Sequence, residues 1–260
     1  NGSVKLNDNV EMKIDNERRE NIRAYHSATH LLHESLRRVL GDHVIQKGSL
    51  VAPDRLRFDF SHMKPVTNEE IDKIEKFVNN MVSAKSNVKT RLMTPKEAVD
   101  NGALALFGEK YGEEVRVLSM GKENGGFFST ELCGGTHVKN TKDIGKFKIV
   151  DQSSIAAGVR RVEALRDKQL EDYEKSKKQD KSSKEKTLKD QIDTIKKELS
   201  KHKVKPDYKE DLELSENFKN LNKQLEKIKI QNVIKDKSKN VIKDKKIGSF
   251  ILRQQVLTDF

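Results

Sequence analysis

The sequence predicts an α+β fold: a two-layer α/β domain over residues 1–165, followed by an antiparallel α-helical, coiled-coil hairpin. Three observations carry this expectation. Along residues 1–165 the apolar positions switch repeatedly between a period of two, the mark of strands, and the 3.6-residue period of helices. Composition then changes after Arg166, and residues 174–187 contain no apolar residue. Beyond them lie two short heptad seams, Leu188, Ile192, Ile195, Leu199 and Phe218, Leu221, Leu225, Ile228, on either side of Pro206. Two such seams joined by a proline-containing turn fold back on each other.

In chain order, Val4, Leu6, Val10, Met12 and Ile14 alternate around Asn7-Asp8-Asn9, a short hairpin signal that reads as the end of a preceding β subdomain over 1–15. Residues 16–40 take helical period through Ile22, His26, His30, His33, Leu36 and Leu40, with Gly41 as the stop. Residues 44–51 and 55–60 read as strands. Thr67, with Glu70 three residues on, is a capping box that opens a helix running to about Ser83, its buried stripe made of Ile71, Ile74, Phe77, Val78 and Met81. A strand at 87–93, a short helix opened by Pro95, and strands at 114–119, 126–130 and 145–150 follow. Residues 153–165 are mixed. The connector is expected over 166–246, with residues 174–187 either helical or an unfolded lysine-rich linker, and 247–260 starts a further, truncated domain.

The charge is uneven. The formal net charge is +11. Lys plus Arg exceed Asp plus Glu by 3 over residues 1–165 and by 8 over 166–260. A basic surplus favours a polyanionic partner through counterion release, although lysine also serves as a plain solubiliser. The single cysteine, Cys133, excludes an intrachain disulfide and suits a reducing, cytoplasmic compartment. No stretch approaches the roughly 20 apolar residues of a membrane span. The first residues, Asn1-Gly2-Ser3, carry no initiator Met and no apolar leader, so the chain reads as an excised piece.

The chemistry is concentrated in two short patterns. His26-Ser27-Ala28-Thr29-His30 puts two imidazoles at i and i+4, one turn apart on one helix face. Cys133-Gly134-Gly135-Thr136-His137 supplies a thiolate and a third imidazole around a Gly-Gly step that permits a tight turn. One sulfur and three imidazoles suit Zn²⁺. Each pattern alone is weak, and histidines on a helix face are commonly packing residues; the lone cysteine falling in a Gly-Gly turn beside a histidine is what favours a metal. His33, one short of i+4 from His30, reads as a packing or capping residue. A zinc protease would need H-E-x-x-H with Glu as base; Ser, Ala and Thr stand between these histidines. Four protein ligands argue for a closed, structural site.

These motifs bring a resemblance with them. Residues 26–33, then 44–51 (Val-Ile-Gln-Lys-Gly-Ser-Leu-Val), then 57–62 (Arg-Phe-Asp-Phe-Ser-His), resemble the editing domain of alanyl-tRNA synthetases. Residues 106–112, 131–137 and 156–163 continue the likeness in order, so it covers about residues 1–165. The resemblance implies an α/β editing domain shared with threonyl-tRNA synthetases and free-standing deacylases. It implies hydrolysis of the ester between a wrong amino acid, serine or glycine, and the terminal adenosine of tRNA(Ala). A synthetic pocket cannot reject such close analogues by binding energy alone.

Position by position, the resemblance makes His26, His30, Cys133 and His137 the zinc ligands. It puts Thr29 toward the editing pocket as a catalytic residue and gives Gln46 and Ser49 catalytic or substrate hydrogen-bonding roles as a Q-x-x-S pair, where their plain reading is polar residues on a strand. Gly134, Gly135 and Arg160 fall to substrate and tRNA binding, Arg160 as a guanidinium for phosphate or ribose. The expected partner is the mischarged acceptor end of tRNA(Ala); ATP and alanine belong to the parent ligase, and a homodimer would form through the missing C-terminal part. Two readings stay open beside it: a free-standing trans-editing deacylase, and a non-catalytic zinc-stabilised tRNA-binding module. The sequence departs from the family at Asp151-Gln152-Ser153-Ser154, where Ser-Glu-Ser-Gly is common, and lacks the Gly expected soon after Glu163-Ala164.

Overall fold

The structure is a computed structural model that describes residues 3–104, 112–238, 243–247 and 250–254. Two compact units, Asn1–Glu174 and Lys175–Phe260, divide the chain. The division falls inside one helix, eight residues beyond the boundary expected from composition.

In the first unit, α1 (Asn16–Leu40) starts where the Asp15 side chain accepts from the Arg18 amide and ends at Gly41, whose φ of 116° breaks the helix. β1 (Gln46–Val51) and β2 (Leu56–Ser61) follow, then α2 (Asn68–Ser83), which opens on the expected reciprocal Thr67–Glu70 capping box. Next come β3 (Lys89–Met93), α3 (Pro95–Asp100), β4 (Val115–Glu123), β5 (Gly126–Leu132), a 3-10 turn at Thr141–Ile144, β6 (Phe147–Ala156) and β7 (Val159–Arg166). Residues 153–165, mixed by composition, are the two arms of the β6–β7 hairpin. Its turn rests on Gly158 at φ 70°, a left-handed conformation that favours glycine.

The strands form two antiparallel sheets, one ordered β1-β2-β7-β6 and one ordered β3-β4-β5. Leu31, Leu32 and Leu36 of α1, Phe58 and Phe60 of β2, Ile74 and Val78 of α2, Phe128 of β5 and Val162 of β7 share one core. The α1 and α2 stripes are therefore buried against sheet faces, the two-layer arrangement expected from the pattern. At the distal end Arg166, 8% exposed, donates to Asn21 Oδ1, the Asp143 carbonyl and Asp167 Oδ2, and fastens β7 to α1.

One expectation fails. Residues 3–15 contain no strand, and Val4, Leu6, Val10, Met12 and Ile14 are all exposed, from 58% to 94%. The alternation is real, but an isolated two-stranded ribbon with no sheet or helix beneath it buries no apolar surface and is marginal in water.

The second unit contains most of α4 (Asp167–Lys201), α5 (Leu214–Ser238), β8 (Lys243–Ile247) and β9 (Phe250–Gln254). Ile192, Ile195, Leu199, Leu221 and Leu225 are buried together, with Leu188, Phe218 and Ile228 packed against them. Both heptad seams thus face each other. Residues 174–187 are helical, part of α4 rather than an unfolded linker. β8 and β9 pair antiparallel, so strand structure begins at Lys243, inside the span expected for the connector; residues 248, 249 and 255–260 of the expected further domain lie outside the described residues. Among the described residues no helix is long and apolar enough to cross a membrane.

Candidate metal centre and adjoining surface

α1 carries His26 and His30 one turn apart on the same face, with ring centroids separated by 5.2 Å. The loop that follows β5 folds back over them. The His137 ring lies 4.2 Å from that of His26 and 5.0 Å from that of His30. Cys133 Sγ is 3.6 Å from His26 Nε2 and 3.3 Å from His137 Nε2. One ligand atom from each of His26, His30, Cys133 and His137 lies within 4.8 Å of the other three. With Zn–S near 2.3 Å and Zn–N near 2.0 Å, two corners of a tetrahedral site stand about 3.5 Å apart. The two sulfur–nitrogen separations bracket that value.

Gly135 makes this closeness sterically feasible. A Cβ there would stand 2.2 Å from His26 Cε1, whereas one at Gly134 would meet nothing within 4 Å. Only the second glycine of the pair is required by its neighbour.

Hydrogen bonds select which ring nitrogen faces the cluster. Ser27 Oγ donates to the Arg23 carbonyl at 2.9 Å, which uses its single proton. Its 3.2 Å contact with His137 Nδ1 therefore has the ring donating, and the Val138 amide donates to the same oxygen at 3.1 Å. His137 Nε2 is left as a lone-pair donor. His30 Nδ1 donates to Glu131 Oε2 at 2.7 Å, and His30 Nε2 is buried with no hydrogen-bond partner. That is the orphaned nitrogen a cation would take in place of a proton, and a carboxylate behind a ligating imidazole is the usual arrangement at metal sites. Glu131 Oε1 also lies 3.3 Å from Nδ1 of the buried His33, off-line for a hydrogen bond.

The electrostatics agree. Burial opposes charge on His30, but the adjacent Glu131 carboxylate and Cys133 sulfur outweigh it and push the imidazole up to about 10. Burial likewise opposes the Cys133 thiolate, yet the surrounding imidazoles, His137 and His26 foremost, hold the thiol down to about 3. A thiolate among imidazoles is the state a soft divalent cation needs. The donor set fits Zn²⁺, which would replace the proton shared in the cluster.

The other expected site residues lie on α1 and on the four-stranded sheet. Thr29 is buried and its hydroxyl donates to the Tyr25 carbonyl at 2.9 Å. Gln46 and Ser49, three apart, would face opposite sides of a regular strand. A register shift between Gln46 and Gly48 instead pairs Gln46 with Phe60 and Ser49 with Phe58. Cross-strand partners share a face, so the bulge brings both polar residues to one side of the sheet. Arg160 also pairs with Phe60 and joins that side; its Nη2 approaches the Met63 carbonyl at 3.5 Å. Gln152 donates its amide to the Val66 carbonyl at 2.9 Å, a bond that the family's Glu could not make as a carboxylate. Residues 106–111 of the quoted motif lie outside the described residues.

A polar concavity of about 260 Å³ adjoins the cluster. Gly135, Thr136 and His137 line it together with Arg23, Arg116 and Lys139; Gln46, Ser49 and Arg160 do not. Sequence reasoning missed Ser27, Glu131, Arg23 and Arg116. Glu131 had a signal, since residues two apart on a strand share a face and Cys133 follows it by two. Ser27 and Arg116 had none, because their partners are 110 and 17 residues away along the chain.

Residues 115–163 match the family described as the threonyl and alanyl tRNA synthetase second additional domain. The chain is 62% identical over 167 residues to an alanine–tRNA ligase of Parvibaculum lavamentivorans, a match covering 63% of this chain and 19% of the relative. It is 59% identical over 169 residues to that of a Chelativorans species and 59% identical over 170 residues to that of Rhodopseudomonas palustris, with the same two coverages. Each match thus spans about a fifth of the length of these relatives.

Proposed function

We propose that this chain, an alanyl-tRNA synthetase segment over its matched residues, hydrolyses the ester of tRNA(Ala) wrongly charged with serine or glycine. The observation that carries the reading is the convergence of His26, His30, Cys133 and His137 on one point beside a polar concavity. Water adds to the ester carbonyl, the bond to the ribose oxygen breaks, and the ribose oxygen takes a proton, giving a free amino acid and uncharged tRNA. A bound Zn²⁺ would supply a fixed positive charge that orients the substrate or polarises water.

The chain's own residues supply the rest. Glu131 and Ser27 hold His30 and His137 with Nδ1 turned toward them and Nε2 turned toward the cluster. Gln46 and Ser49, brought to one sheet face by the bulge, are suited to hydrogen-bond the amino acid or the attacking water. On that same face Arg160 offers a guanidinium to phosphate or ribose. The Thr29 hydroxyl already donates to Tyr25, so it can act only as an acceptor unless that bond breaks.

The test is deacylation of seryl- and glycyl-tRNA(Ala) by the zinc-loaded chain under single-turnover conditions. Ester loss with the wild type and none with a folded Cys133→Ala variant supports hydrolysis. A second reading, a zinc-stabilised tRNA-binding module, is favoured by the four-ligand set itself, since closed sites are commonly structural. Tight tRNA binding with no ester loss at any zinc loading would select it.

A further inference from the structure

The concavity beside the cluster has a chemistry that the metal ligands do not explain. Arg23 reaches it from α1, Arg116 from β4 and Lys139 from the loop beyond His137; Thr90 and Thr136 add hydroxyls, and no carboxylate lines it. Arg23 Nε and Arg116 Nη2 are buried and have no hydrogen-bond partner among the described residues. A buried donor left unpaired costs on the order of 1–3 kcal/mol, more when charged.

Both guanidinium groups are held in place. Arg116 Nε donates to the Cys133 carbonyl at 2.9 Å, and Arg23 Nη1 donates to Glu20 Oε1 at 2.5 Å. Glu20 offsets part of the Arg23 charge, but it is 63% exposed and leaves Nε free. Fixed arginine N–H groups in a concave, cationic, hydroxyl-bearing surface match a tetrahedral oxyanion with several acceptor oxygens. The volume, about 260 Å³, lies below the roughly 300–1,000 Å³ of sites for whole small molecules.

We propose that this concavity is a phosphate site that takes one phosphodiester group of an RNA strand, positioned so that the strand's end reaches the neighbouring cluster. The inference deepens the deacylation reading and rests on it for the identity of the strand. The phosphodiester contact fixes register on the backbone and carries no base specificity. His137 lines the concavity and belongs to the ligand set, so a phosphate bound here stands within a residue's reach of the cluster.

The test measures binding of the 260-residue chain to an RNA hairpin ending in the acceptor CCA, over a series of salt concentrations. The variants are Arg23→Gln, Lys139→Gln and the pair; Arg116 is avoided because it also holds the Cys133 carbonyl. Each single variant is expected to weaken binding up to about tenfold, and the pair to lower the slope of log K against log salt by about 1. Inorganic phosphate at millimolar concentration should displace the hairpin from the wild type and fail to affect the double variant. A double variant with wild-type zinc content, affinity and salt slope overturns the proposal. Phosphate binding that the variants abolish, with RNA affinity unchanged, assigns the site to a free oxyanion and overturns the strand assignment. Ester loss is followed in the same samples. A slope lost in the variants with no hydrolysis by the wild type leaves the phosphate site standing and defeats deacylation; hydrolysis with an unchanged slope does the reverse.

Discussion

Gly135→Ala isolates the candidate metal centre from the rest of the fold. The new Cβ would stand 2.2 Å from His26 Cε1 and 2.7 Å from Nδ1. Ordinary contact begins near 3.4 Å, so the ring or the loop must move by about 1.2 Å. A Zn–N bond is about 2.0 Å long, and a shift of that size takes His26 out of coordination range. Loss of proper ligand placement costs at least the 10–100-fold seen when a supporting residue is removed. At a zinc concentration well above the dissociation constant, a hundredfold loss removes about 2.7 kcal/mol of metal-linked stability. For a unit of this size that corresponds to a fall in Tm of roughly 5–11 °C. Chelator competition gives the affinity, and thermal melts with zinc and with excess chelator give the linked stability. The Tm gap from wild type should open with zinc and close with chelator. Gly134→Ala, with nothing within 4 Å of its Cβ, is the matched control and should behave as wild type. A Gly135→Ala protein with undiminished zinc affinity refutes the reasoning.

Three further outcomes are expected. Ser27→Ala frees His137 Nδ1 and strands the Val138 amide, so zinc affinity measured by competition should fall about tenfold. Asp59, 5% exposed, accepts two hydrogen bonds from Arg161, and these hold its carboxyl below the usual carboxylate value against the opposing effect of burial. The stability this gives is complete above the unfolded-state value of about 3.9 and is lost as pH falls through the lower folded-state value. The gap in urea midpoint between wild type and Asp59→Asn should therefore be widest near neutral pH and shrink in acid; a gap that grows in acid would contradict it. In the second unit, Leu221→Ala empties a fully buried seam position and should cost about 2–5 kcal/mol, read as an earlier loss of helical circular dichroism in urea.

How much was legible in the sequence depended on the range of the forces involved. α2 was readable to the residue because its start is a local contract between Thr67 and Glu70, satisfied within one turn. α1 ended at Gly41 for the same kind of reason. The hairpin seams were readable because a heptad specifies a face whatever lies opposite. At residues 3–14 the same kind of evidence misled, since alternation describes what a strand could bury and not whether anything is there to bury it. The candidate ligand set was legible as four residues because spacing places two of them on one helix face and two around one turn. Their convergence was not, because it depends on where β5 ends relative to α1. Nor could spacing show that Gln46 and Ser49 share a face: a three-residue step says otherwise until the extra residue of the bulge is seen.

The loop from Cys133 to His137 is clamped at both ends by groups that are not ligands. At its start the Cys133 amide donates to the Arg116 carbonyl and Arg116 Nε returns a bond to the Cys133 carbonyl. At its end the Val138 amide donates to Ser27, on the turn of α1 between His26 and His30. The chain entropy of bringing β5 to α1 is therefore met by the fold and by a core built from Leu31, Leu32, Phe58 and their neighbours. This is unlike a small zinc domain, where the metal itself closes the loop and its removal unfolds the chain. Here the donors are preorganised, so a cation meets them with little left to order, and its binding energy goes into affinity rather than into making the domain. That is why Gly135→Ala should loosen the metal by orders of magnitude yet leave a folded protein, and why a chelated wild type should keep its secondary structure. A wild type that lost its helical signal on chelation would show that the clamps at Arg116 and Ser27 are too weak to hold the loop alone.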